Sequence, residues 1–175
     1  MRREGRASKI CRPRRVQAMA RSETADGFWP YISRSIERIV AALADLEQAG
    51  VPLDWRPPAA AATSVYVLAV HALGTTEHRL LGVLCGIDIV RDREAEFAAT
   101  SGSAAAIANE RRALSARIES ALSSLTEEDL AAPTRHPERG EITGLDVLIV
   151  VARHVAEHAG QAEFTRDLAL AHAKG

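Results

Sequence analysis

Residues Val147–Leu170 read VLIVVARHVAEHAGQAEFTRDLAL, and their periodicity decides what kind of protein this is. At 3.6 residues per turn, side chains four apart stack on one face of a helix. Stepping about 100° per residue from His154 places Val147, Val150, Val151, His158, Gln161, Thr165 and Leu168 within about 60° of it. Arg153, Glu163 and Asp167 fall on the opposite arc. The spacing predicts one long helix with two histidines in the middle of its apolar stripe.

Two imidazoles buried side by side need partners for their nitrogens, because a polar group taken out of water without one is costly. Neighbouring helices can supply hydrogen bonds. A shared divalent ion can do the same, and histidines at i and i+4 are the grip used in His-x-x-x-His zinc sites. The pair alone does not choose between these readings. A third ligand from elsewhere would.

The rest of the chain frames that helix. A length of 175 residues fits one domain with a good core. The 47% apolar content is rich in alanine and leucine and only 4% of residues are aromatic, which favours close-packed helices over sheets. Residues 1–18 hold seven Arg or Lys against one Glu, a surplus of six, so the remainder sits at about -7 against -1 for the whole. An acidic body offers no footprint for nucleic acid. Residues 1–22 read as a disordered basic tail or a misassigned start, and 23–175 as the folded domain. Cys11 and Cys85 form no motif, the usage of a reducing cytoplasm. No apolar run reaches membrane-spanning length.

In chain order, Ile32, Ile36, Ile39, Val40, Leu43 and Leu46 predict a first helix from about Gly27 to a stop at Gly50. VPLDWRPP is a rigid connector. A second helix is expected from Ala59 to Gly86, apolar nearly all round, either central to a bundle or half of a homodimer interface. Gly74 and Gly82 near the His71 face suggest close approach of another backbone. Asp88–Gly102 reads as a loop or short helical turn, and Ser103–Leu125 as the third helix. Thr126 with Asp129 caps a short turn, Ala132–Glu141 is a loop, and Thr143 with Asp146 caps the last helix. The result is an all-α four-helix bundle with a long crossover connection.

His71 and His78 both lie on the second helix, on one face, but about 10.5 Å apart along the axis. One ion at about 2.0–2.1 Å from each nitrogen is not expected to bind both. Cys85, about 21 Å of helical rise from His71, is too far to join.

The segments LAVHALGTTEHRLLGVLCG, VRDREAEF and RHVAEHAGQAEFTRDL together resemble the DinB-like (YfiT-related) four-helix-bundle superfamily over roughly Gly27 to Leu170. His71, Gly74 and Glu77 fit its second-helix motif, and His154, His158, Gly160 and Gln161 its last-helix motif. Glu77 points about 120° from His71 and is not expected to ligate. The resemblance implies a divalent metal, zinc or nickel, held by His71, His154 and His158, with a position open for water or substrate. It implies further a thiol S-transferase type of activity with a low-molecular-weight thiol cosubstrate and a small-molecule substrate. Gln161 would serve from behind His158. Apart from the resemblance, Arg91, Arg93 and Arg135 lie in connections, placed either to flank a pocket mouth and pair with a carboxylate of a substrate or thiol or simply to be solvated. The alternatives are a non-catalytic metal- or small-molecule-binding bundle, and a structural homodimer with a metal-free histidine core.

Overall fold

A computed structural model describes residues 21–100 and 102–174. Residues 1–20, and with them most of the expected basic tail, lie outside the described residues. Ser22, placed with the tail from sequence, is fully buried and caps the first helix.

Helix α1 spans Glu23–Gln48, four residues earlier at its start than periodicity alone predicts. The Ser22 side chain accepts the amide hydrogen of Ala25 at 3.0 Å, satisfying one of the free donors of the first turn. Pro30 is tolerated inside the helix, on the solvent side. The stop falls at Gly50, whose φ of 69° only glycine adopts without strain, and the Val51 amide turns back to the Leu46 carbonyl at 3.0 Å.

The second helix begins at Val65, not Ala59, because Ser64 caps it by accepting from the Val67 amide. As α2 it runs only to Thr76 and continues as a π-helical segment over Glu77–Leu84. There the Cys85 amide reaches the Leu80 carbonyl, one residue further back than an α-helix allows. Ten of the twelve residues of α2 are buried within the chain. Its apolar character matches a central position in the bundle.

The crossover carries the short helix α3 (Arg93–Ala98), followed by α4 (Ala104–Leu122) and α5 (Glu127–Ala131). The expected loop after α5 is a small antiparallel hairpin, β1 (Pro133–His136) with β2 (Gly140–Thr143). Four-residue strands carrying Pro133 and Pro137 at their edge show no alternation from which to read them. Helix α6 (Gly144–His172) starts at the expected Thr143–Asp146 capping box. The fold is all-α, with α1, α2 plus its π continuation, α4 and α6 as the four long elements. Ile32, Ile39 and Leu43 of α1, Ile118 of α4, and Leu148, Val151 and Val155 of α6 are all fully buried in the shared core. Among the described residues no helix is long and apolar enough to cross a membrane.

Candidate metal centre

Helix α6 delivers His154 and His158 on its buried side, and α2 delivers His71 from the facing element. The rings pack edge to face, with centroids 5.2 Å apart for His71–His154, 5.1 Å for His71–His158 and 4.3 Å for His154–His158. One nitrogen of each lies within 4.8 Å of those of the other two. His71 is 5% exposed, and the α6 pair is half-buried.

Hydrogen-bond partners fix which nitrogens face the centre. Nδ1 of His71 lies 2.8 Å from Glu96 Oε2. A carboxylate only accepts, so His71 carries its hydrogen on Nδ1 and presents the Nε2 lone pair. Nδ1 of His158 donates to Gln161 Oε1 at 2.6 Å by the same logic, and His158 Nε2 is buried without any hydrogen-bond partner. His71 Nε2 and His154 Nε2 face each other at 3.2 Å. Without a cation, one of the two must donate to the other, and the lone pair of His71 Nε2 then accepts from His154; both nitrogens could instead hold a shared divalent ion.

Electrostatics keep His71 and His154 neutral. Burial, reinforced by the neighbouring His158, Arg79, His71 and Arg91, pushes His154 down to about 3. Burial likewise lowers His71, against the pull of Glu96. Neutral imidazoles with outward-tied Nδ1 atoms are what a divalent ion requires of its ligands. The orphaned nitrogen, the facing lone pairs and the all-imidazole donor set fit a zinc- or nickel-type ion.

Behind His71 stands a group that sequence reasoning missed. Glu96 of α3 is 7% exposed and accepts from Arg91 Nε and Nη2, each at 2.7 Å. Burial opposes its ionisation, but the hydrogen bonds from Arg91 and His71 prevail and hold the carboxyl below its ordinary range. Arg91 also donates to Thr75 Oγ1 at 2.7 Å. Arg91 therefore turns inward to position Glu96, not outward to a substrate carboxylate. Gly74 makes the room: a Cβ there would stand 2.9 Å from the Glu96 carboxyl carbon and closer still to Oε1. The approach expected at Gly74 is thus by a side chain, not a backbone. At Gly82 the neighbours are at ordinary contact distance. The available signals were the Asp92 cap three residues before Ala95 and the unexplained glycine at Gly74.

The other candidates sort cleanly. Gln161 holds His158, as described. Arg93 lies over the Phe97 ring at 4.7 Å, and Phe97 in turn packs on the His71 ring at 4.7 Å. His78 lines a separate cavity with Gly82, Ile89 and Thr134. Glu77 pairs with Arg117. The thiol of Cys85 is half-buried and pushed up to about 11 by burial, so it is inert.

A helical bundle with a buried histidine triad drawn from its second and last long helices defines the class. The sequence profile of the DinB superfamily matches residues 31–162, a span that contains all three histidines, Glu96 and Gln161. The chain belongs to that superfamily. No curated protein and no solved structure matched it.

Proposed function

We propose that this chain is a divalent-metal-dependent enzyme of the thiol S-transferase type, joining the sulfur of a small thiol to an electrophilic carbon. The supporting observation is the convergence of His71, His154 and His158 on one point, with Nδ1 of His71 and of His158 hydrogen-bonded away from it so that Nε2 carries the lone pair. These three would hold zinc or nickel. When bound, such an ion acts as a Lewis acid that lowers the pKa of a thiol or water at its remaining position.

The chain's own residues do the rest. Glu96 orients His71 and raises its basicity, and Arg91 holds Glu96 in turn. Gln161 does the same for His158. Phe97 covers the His71 ring and shields it from water. Both oxygens of Glu96 are engaged, so it positions and does not take protons. The thiol proton passes to solvent water as the sulfur–carbon bond forms and the leaving group departs. A bundle that binds metal and a small molecule without turnover would keep the same triad and differ only in lacking this last step.

Elemental analysis of protein purified without a histidine tag should give about one zinc or nickel per chain. A panel of small thiols against an alkyl halide or an epoxide should then show turnover that chelation abolishes and metal restores. Activity untouched by chelation, or a chain free of metal, would refute the proposal. Bound metal with no turnover across the panel would leave the binding bundle in its place.

A further inference from the structure

The chain has only three phenylalanines, and two stand exposed beside the histidine cluster. Phe97 is 44% exposed and Phe164 66%. A cavity of about 370 Å³ opens there, walled by Leu68, Phe97, Phe164, Thr63, His158 and Gln161. That volume lies in the range of small-ligand sites, roughly 300–1,000 Å³. Among the described residues its wall contains no Asp, Glu, Lys or Arg. The charged groups are next door: a second cavity of about 220 Å³ shares Ala62, Thr63 and Phe97 with the first and adds Asp54 and Arg56.

Aromatic rings left in water forgo the burial that would otherwise stabilise the fold. In a chain this poor in aromatics, placing two of them around one uncharged cavity that touches a ligand histidine calls for something to cover them. The cavity's chemistry says what: an apolar group, close enough to the triad that the atom bearing it reaches His158.

We infer that the molecule acted on carries its reactive atom on an uncharged aryl or bulky alkyl group, which this cavity holds between Phe97 and Phe164. The inference rests on the proposed metal chemistry only for which end of the molecule faces the histidines. Any polar tail extends past Phe97 toward Asp54 and Arg56.

The first arm of the test uses no metal. In the metal-stripped chain, benzyl alcohol at millimolar concentration should shift the ring resonances of Phe97 and Phe164. Unshifted rings would overturn the inference, whatever the metal does. In the second arm, the cobalt-loaded chain is titrated with benzyl mercaptan and with 2-mercaptoethanol and followed by its visible spectrum. The benzyl thiol should bind about tenfold more tightly. Phe164→Ala should remove most of that advantage without changing cobalt content, and Phe164→Tyr should keep it. Equal affinities in the unaltered chain would sink the inference. So would a Phe164→Ala chain of altered sedimentation mass, since the ring would then serve a contact between copies. If cobalt fails to bind, the metal-dependent reading falls, and the benzyl alcohol arm still decides this one.

Discussion

At the scale of single residues, the centre is a set of nested constraints, each set by the next group outward. His154 and His158 were legible in the sequence because a four-residue spacing inside an apolar stripe is a local pattern. His71 was legible only through its resemblance to a family motif, since nothing local pairs it with α6. Glu96 was not legible, because its contact with His71 spans 25 residues and a change of direction. Glu96→Gln keeps the shape but leaves the Arg91 guanidinium without its counter-charge. We expect zinc affinity to fall about 10–100-fold, as removal of such supporting groups commonly does, read by competition with a chromophoric chelator. Gly74→Ala puts a methyl group where the Glu96 carboxylate lies. The overpacking should cost about 1–3 kcal/mol in urea unfolding and lower zinc affinity alongside. A neutral effect on both would show that Glu96 is not held there.

At the scale of elements, capping carried most of what the sequence revealed. Thr126–Asp129 and Thr143–Asp146 both form the reciprocal hydrogen bonds their spacing implies. The start of α2 shifted because a serine cap outweighs the helix propensity of the preceding alanines. The π-helical segment gave no signal: its sequence EHRLLGVL is as apolar and as periodic as an α-helix requires. His78 lines a separate cavity, and His71 is the histidine this helix contributes to the cluster. Thr143→Ala removes the α6 cap at a point distant from the histidines. It should destabilise the fold by about 1 kcal/mol, seen as a lower urea midpoint with zinc affinity unchanged.

At the scale of the molecule, composition and helical periodicity made the bundle legible. The apolar character of α2 is legible in its sequence, and the structure buries ten of its twelve residues inside the bundle. The burial of neutral imidazoles also ties stability to pH. The folded pKa of His154, about 3, lies below its ordinary 6.5. Between those values the unfolded chain takes up a proton that the folded chain refuses, so stability of the metal-free protein must fall as pH drops from about 6.5 toward 3. His71 is shifted the same way and adds to the slope. Urea midpoints of the metal-stripped chain across pH 7 to 4 should decline accordingly, and a flat profile would show that the rings are not buried neutral. The central claim is that three imidazoles share one ion, and anomalous diffraction from crystals of the untagged protein grown with zinc addresses it directly. The account predicts a single strong peak between the Nε2 atoms of His71, His154 and His158. A cluster empty of anomalous density, or a peak at His78 or His136 instead, would contradict it.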